Sequence, residues 1–153
     1  MIIYRVGDIF QQNVEAIVNP VNCVGAMGKG LAKDFKIKYP LNYEQYRKAC
    51  LEGRVEIGKM FTVPIFTYGN LKYIVNFPTK KHWRKDSEID YIKSGLYGLV
   101  ETVAKLNIRS IALPRLGVGE GHLDWQDVKD LMDKILGTLA DTNIQVVVCE
   151  YNG

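Results

Sequence analysis

Between Asn19 and Pro40 the chain reads NPVNCVGAMGKGLAKDFKIKYP, and few folds accept that order of residues. The apolar run Ala16-Ile17-Val18 enters it as the end of a buried strand. Gly25, Gly28 and Gly30 follow, and Leu31-Ala32-Lys33-Asp34-Phe35 then opens a helix. A strand, a glycine-rich loop and a helix start together aim free backbone N–H groups and a positive helix end at an anion. Glycine lets a ligand approach the main chain closely. The expected guest is a phosphate or pyrophosphate. A Walker A loop would need glycine at Cys23 and Ser or Thr at Gly30, and a dinucleotide fingerprint would need Gly or Ala at Lys33, so both fail.

A second loop of the same kind lies in Ser110-Ile111-Ala112-Leu113-Pro114-Arg115-Leu116-Gly117-Val118-Gly119-Glu120-Gly121-His122-Leu123-Asp124-Trp125. A short apolar strand again leads into alternating glycines. Asp124 is placed to cap the next helix, with Asp127 three residues on. One such loop alone reads as a tight strand-to-helix turn. Two in one small domain point to a bound diphosphate.

A length of 153 residues fits one domain spanning 1–153, with room for a real core. No apolar run approaches membrane-spanning length, and Met1-Ile2-Ile3-Tyr4-Arg5 reads as the start of a strand rather than a signal peptide. Cys23, Cys50 and Cys149 are odd in number and widely spaced, which predicts no disulfide framework and suits reducing cytoplasm. His82 and His122 are too few and too scattered for a metal site. The formal charge of +3 is mild, but Lys80-Lys81-His82-Trp83-Arg84-Lys85 is a dense basic cluster holding an aromatic. Such a run is most often a solvated face. Beside a phosphate pocket it also suits an anionic substrate or nucleic-acid phosphates.

In order, the chain predicts a strand over Ile2–Val6, a turn at Gly7-Asp8-Ile9, a short strand over Ala16–Asn19, and a helix from Gly30 ending before Pro40. A second helix over Leu41–Leu51 has Asn42 as cap and Gly53 just past its end. Met60–Tyr68 and Leu71–Phe77 read as a hairpin turning at Gly69-Asn70, with Pro64 marking an edge strand. The basic cluster then forms a loop. Ser87 and Asp90 form a capping box for a long helix whose face runs through Ile89, Ile92, Leu96, Leu99, Val100, Val103 and Leu106, closed by Asn107. A strand at Ile111–Leu113, a helix over Trp125–Ala140 and a strand over Ile144–Cys149 complete a mixed sheet between helical layers.

With both loops placed, the sequence resembles the macrodomain family, whose members bind ADP-ribose. The likeness runs from Val6 to the last strand and is carried by Gly7-Asp8-Ile9, Ile17-Val18-Asn19, Asn22, Gly28-Lys29-Gly30-Leu31-Ala32 and Leu113 to Gly119. Asn76-Phe77-Pro78-Thr79-Lys80-Lys81-His82-Trp83-Arg84 and Gly117 to Trp125 resemble one branch most. That branch holds the DNA ADP-ribosyl glycohydrolase antitoxins of DarG type and the terminal ADP-ribose protein glycohydrolase. The resemblance implies a three-layer α/β/α fold around a mixed sheet, with ADP-ribose as ligand or product and no further cofactor.

It also implies site residues. Asp8, with Gly7 and Ile9, would serve the adenine. Asn19, Gly28, Lys29, Gly30 and Leu31 would line the diphosphate and distal ribose. Pro114, Leu116, Gly117, Val118, Gly119, Glu120, Gly121, His122 and Leu123 would wrap the diphosphate from the other side. Asn22 would hold the ribose hydroxyls, and Lys80 would be catalytic. The protein-directed enzymes of the branch carry an aspartate where Gly121 stands, which favours DNA as substrate. DarG-type chains continue into a toxin-binding domain, so this chain is expected to be a trimmed piece or a stand-alone relative.

The expected chemistry is cleavage of an N-glycosidic bond at the anomeric carbon of ribose. Lys80 attacks that carbon or protonates the leaving base, helped by the neighbouring charge of Lys81 and His82; like charges favour an amine's neutral form. The bland alternatives are a surface lysine that anchors phosphate and a turn asparagine that satisfies its own loop. Trp83 and Arg84, with Lys81, suit the stacking and phosphate contacts of single-stranded DNA. Two other functions stay open: hydrolysis of ADP-ribosylated protein or of a phosphorylated ADP-ribose, and reading of ADP-ribose without turnover. The expected setting is a cytoplasmic monomer opposed to a DarT-type toxin.

Overall fold

The computed structural model describes residues 2–150, so Met1 and the last three positions of the expected 1–153 domain lie outside the described residues. The elements run β1 (Ile2–Val6), a 3-10 turn (Ile9–Gln11), β2 (Ala16–Asn22), α1 (Gly30–Lys38), α2 (Pro40–Leu51), β3 (Phe61–Pro64), β4 (Tyr73–Lys80), α3 (Ile89–Lys105), β5 (Ser110–Pro114), α4 (Trp125–Ala140) and β6 (Gln145–Glu150). One sheet of six strands has the order β1-β6-β5-β2-β4-β3, parallel throughout except for β3 at its edge.

Side chains alternate across the sheet as the pleat requires. Val18, Val75, Phe77, Ile111, Leu113, Val146 and Val148 pack against α3 and α4. Ile17, Ile74, Ala112 and Val147 face the other way, onto Phe35 of α1 and Ile9 of the 3-10 turn. Both faces are therefore covered, as parallel sheets demand, and the layering is α/β/α. Among the described residues no helix is long and apolar enough to cross a membrane.

Several local signals act as expected. Asp124 caps α4 by accepting from the Asp127 N–H at 3.2 Å. Asn107, with φ of 54°, turns the chain after α3, while the Ile108 N–H reaches Val103 O at 3.0 Å. Ile92, Leu96, Leu99 and Val103 are buried along α3 and Val100 and Leu106 partly so, while Ile89 at its start is exposed, contrary to its expected place on that face. Gly95 lets that helix lie close on β4, because a Cβ there would stand 2.3 Å from the Phe77 ring.

Four expectations are corrected. Ser87 does not cap α3; Glu88 holds that position without a side-chain bond, and the Ser87 hydroxyl is buried without a partner among the described residues while its N–H donates to Gly121 O at 3.1 Å. Asn42 is not a cap either. Pro40 opens α2 at its first position and Asn42 is buried inside it, exchanging hydrogen bonds with Asn76 at 2.9 and 3.2 Å. The two-residue hairpin at Gly69-Asn70 is replaced by a loop over 65–72, since β3 stops at Pro64 and β4 starts at Tyr73. Finally, β2 extends to Asn22 and β4 to Lys80, three residues further each than expected. Pro20 and Pro78 hid this, and both are tolerated because a neighbouring strand has already ended: β5 pairs with β2 only at Ala16 and Ile17, and β3 pairs with β4 only through Asn76.

Glu15 ties the amino ends of three strands. Its carboxylate accepts from the Arg109 N–H at 2.6 Å and from Lys72 Nζ at 2.9 Å, and its carbonyl accepts from the N–H groups of Lys72 and Tyr73. The hydrogen bond from Lys72 and that from the Arg109 N–H, against the opposing effect of burial, hold its carboxyl below the usual carboxylate range. A depressed native pKa means that the unfolded chain binds more protons, so this stability is present above the ordinary carboxylate pKa and is lost as pH falls through the lowered value. Glu15→Gln is expected to flatten the fall of melting temperature with acid below about pH 4. Thermal melts across pH check this; parallel curves for both proteins would contradict it.

Candidate active site at the carboxyl edge of the sheet

Because the five parallel strands share one direction, Gly7-Asp8-Ile9, Asn22, Lys80 and the Pro114–Leu123 loop all emerge at one edge of the sheet. Strands β2 and β5 part after Ile17 and Ala112, although β2 continues to Asn22 and β5 to Pro114. The loops they carry therefore leave the sheet separately at the carboxyl ends of the strands, the position where open α/β sheets bind ligands. The rims meet again further out. A Cβ on Gly30, whose φ is 59°, would lie 3.9 Å from Glu120 Cγ, so the Gly28–Gly30 loop and the Gly117–Gly121 loop face each other.

The first loop is shaped by Asn22 and Tyr46. Asn22 Oδ1 accepts from the N–H groups of Val24 (3.1 Å) and Ala26 (3.3 Å), while its Nδ2 donates to Ala26 O at 2.9 Å. Tyr46, fully buried on α2, reaches both Asn22 O (2.6 Å) and Asn22 Oδ1 (2.9 Å). Burial pushes the Tyr46 phenol far above its ordinary pKa, so it stays protonated and donates. Asn22 is thus spent mainly on its own loop, with one amide hydrogen left over. Asn19 is set deeper than expected: fully buried, it gives its amide to Asn76 Oδ1 at 3.0 Å and touches Met27 Sδ. It supports the loop from beneath instead of presenting a group at the surface. Leu31 is partly buried behind the same loop, and Gly28 and Lys29 are exposed on it.

The second loop turns at Gly117, with φ of 75°, and the Leu123 N–H closes it onto Gly117 O at 2.9 Å. A Cβ at Gly121 would stand 2.4 Å from both Gly117 O and Ser87 Oγ, so no side chain fits there. Pro114, Val118 and Leu123 are partly buried and Leu116 fully so, which leaves Gly119, Glu120 and His122 as the exposed part of the loop. His122 adopts φ of 62° and its Nδ1 lies 2.7 Å from Asp86 Oδ1. With Ser87 N–H on Gly121 O, this makes two ties between the second loop and the basic segment.

Lys80 is the last residue of β4, and its register partner across the sheet is Asn22, at a bulge between Val21 and Asn22. It is partly exposed. Beyond it, Lys81 Nζ lies over the Tyr91 ring at 5.5 Å, the Arg84 guanidinium stacks on Trp83 at 4.7 Å, and Trp83 is 51% exposed. Core packing is thereby excluded for Trp83, which presents its ring to solvent. Cys23, next to Asn22, is no competing nucleophile: burial pushes its thiol up to about 11. At the far corner Asp8 caps the 3-10 turn, one oxygen accepting from the Phe10 N–H at 2.8 Å, and Ile9 is buried beside it.

A family model for the macro domain matches residues 18–132, which include both loops, Lys80 and the basic segment. The chain belongs to the macrodomain family. It is 49% identical over 143 residues to a Mycobacterium tuberculosis protein named DNA ADP-ribosyl glycohydrolase, covering 94% of this chain and 41% of that one. The macrodomain of Thermus aquaticus DarG superposes with a TM-score of 0.92 at 45% identity, covering 98% of both chains. A Thermosipho africanus DarTG structure in complex with ADP-ribose gives 0.88 at 36% identity, over 94% of this chain and 40% of that one. This macrodomain spans about two fifths of the length of the curated relatives it matches.

Tyr46, Ser87 and Asp86 are the site residues that sequence reasoning missed. Tyr46 and Asp86 carry no spacing signal, because each acts on a loop far away in sequence, and the Ser87–Asp90 spacing points to a cap instead. The two glycines separate ligand contact from packing. Gly121→Ala is expected to cost about 1–3 kcal/mol of stability by overpacking, whereas the open space around Gly28 lets Gly28→Ala keep its stability within about 0.5 kcal/mol. If ligand lies on that main chain, Gly28→Ala still weakens ADP-ribose binding. Denaturation and calorimetry on both variants check this; unchanged ADP-ribose affinity in Gly28→Ala would remove that loop from the site.

Proposed function

We propose that this macrodomain binds the ADP-ribose of ADP-ribosylated DNA bases and hydrolyses the N-glycosidic bond to the base, with Lys80 as the catalytic residue. The observation that carries this is the register of Lys80 opposite Asn22, at the lip between two main-chain loops that face each other. A diphosphate between Gly28–Gly30 and Gly117–Gly121 sets the distal ribose beside Asn22, whose free amide hydrogen meets a ribose hydroxyl. The adenine extends toward Asp8, whose second oxygen accepts from the exocyclic amine.

In the reaction, the bond between the anomeric carbon and the base breaks, water supplies hydroxide to that carbon, and a proton goes to the base. Lys80 serves either as the acid for the leaving base or as the nucleophile whose ribose adduct water then cleaves. Borohydride separates the two, because only an imine on Lys80 is trapped as a stable mass adduct. Lys81, Trp83 and Arg84 hold the DNA on either side of the adduct, the base stacking on exposed Trp83. The ties to Asp86 and Ser87 make this DNA-facing segment and the phosphate loop one unit. At Gly121 there is no room for the acid on which the protein-directed branch relies, which supports DNA as substrate.

The names of the relatives support the same reading, and the ADP-ribose in the Thermosipho structure supports the ligand. A Thermosipho africanus relative 35% identical over 148 residues is named as a fusion of DNA ADP-ribosyl transferase and DNA ADP-ribosyl glycohydrolase. By that analogy this domain is a DarG-like antitoxin module that reverses the work of a DarT-type toxin. The test is incubation with oligonucleotides carrying ADP-ribose on thymidine or guanosine, with a glutamate-linked protein substrate alongside. Lys80→Ala is expected to lose about 100-fold or more in turnover of the DNA adduct while still binding ADP-ribose. Full turnover by that variant would end the assignment of Lys80, and release from protein but not DNA would overturn the substrate.

A further inference from the structure

Basic charge is unevenly placed in this chain. Between Lys29 and Arg54, the α1–α2 layer carries seven lysines and arginines against three carboxylates, a net +4 where the whole chain has +3. Part of that charge lines a cleft of about 360 Å³ along the outer face of α2, walled by Lys36, Tyr43, Glu44, Arg47 and Lys48, with Pro40 and Leu51 at its ends. Glu44 is the only carboxylate on its walls. Lys36 Nζ stands over the Tyr43 ring at 4.5 Å. Cations beside an aromatic face are what a nucleic-acid strand uses, phosphates on the former and a base on the latter.

The cleft also joins the site. Arg47 packs under the first loop, its Cγ 3.5 Å and its Cα 3.7 Å from where a Gly25 Cβ would stand. On the β4 side, Lys80 pairs in register with Asn22, where that same loop begins. The first loop therefore has Lys80 beside its start and Arg47 against Gly25 within it. The twelve residues of α2 extend this path by about 18 Å, enough for a short run of nucleotides.

We propose that the α2 cleft is a second single-stranded DNA subsite, which holds the strand on the side of the adduct away from Trp83 and Arg84. It rests on the function proposed above and adds to it. Lys36, Arg47 and Lys48 contact phosphates, and Tyr43 stacks a base. The strand crosses the lip at Lys80 with basic groups on both sides, so the enzyme recognises flanking DNA as well as the ADP-ribose.

The experiment measures binding and turnover separately. Binding of an unmodified, labelled single-stranded oligonucleotide is followed by anisotropy across salt, for wild type, for Lys36→Gln/Arg47→Gln/Lys48→Gln, and for Glu44→Lys. Loss of three phosphate contacts should lower the slope of log affinity against log salt by about 2, with ADP-ribose affinity unchanged. Glu44→Lys should tighten binding, a gain that misfolding cannot produce. In turnover, the triple variant should raise KM about tenfold on a long oligonucleotide modified at its centre, and leave an ADP-ribosylated mononucleoside unaffected. Unchanged salt slopes in both variants overturn the subsite, and so does an equal loss on long and short substrates. If wild type cleaves neither substrate yet the salt slopes move as stated, the subsite stands and the proposed reaction falls.

Discussion

The pairing of β2 with its two neighbours is the constraint on which the rest depends. On one side β2 stays hydrogen-bonded to β4 through to the Asn22–Lys80 pair; on the other it leaves β5 after Ile17. The continuous side brings an amide and an amine together at the edge. The interrupted side lets two glycine loops leave the sheet separately and face each other at their rims. A sheet that kept both ladders intact would hold the two loops side by side, and one that kept neither would scatter the groups at that edge.

Holding a main-chain loop in a shape that offers N–H groups to solvent takes hydrogen bonds from elsewhere, because a backbone group left unpaired in the interior is costly. Asn22 and Tyr46 provide them for the first loop, and the buried amides of Asn19, Asn42 and Asn76 form a polar layer beneath it. Asn76 also donates to Phe61 O at 3.0 Å, so the layer reaches the edge strand β3. The second loop is closed by its own turn and by Ser87 and Asp86 from the basic segment. Each loop is thus shaped by parts of the chain remote from it in sequence.

This distribution explains what the sequence disclosed. The glycine loops, the Asp124 cap, the Asn107 turn and the apolar face of α3 were legible because each depends on residues within a few positions of one another. Asn42 and Ser87 misled for the opposite reason: both have the chemistry of a helix cap, but the Asn42 side chain is taken by Asn76 and the Ser87 backbone is tied to Gly121 across the chain. Pro20 and Pro78 sit inside strands that the sequence pattern ends short of them, and each is admitted because the ladder beside it has stopped. Asn19 has the composition of a ligand contact and the position of a support. Tyr46 gave no local sign at all, since its value lies in the hydroxyl it delivers to a loop twenty-four residues earlier.

What distinguishes this account from a surface with two unrelated turns is that one ligand must engage both loops together. Backbone amide shifts of Gly28, Lys29, Gly30, Gly117, Gly119 and Gly121, followed by NMR during titration with ADP-ribose, report on that directly. The account predicts that the two sets move along one binding curve with a single dissociation constant. Shifts confined to one loop, or two sets that saturate at different concentrations, would contradict it.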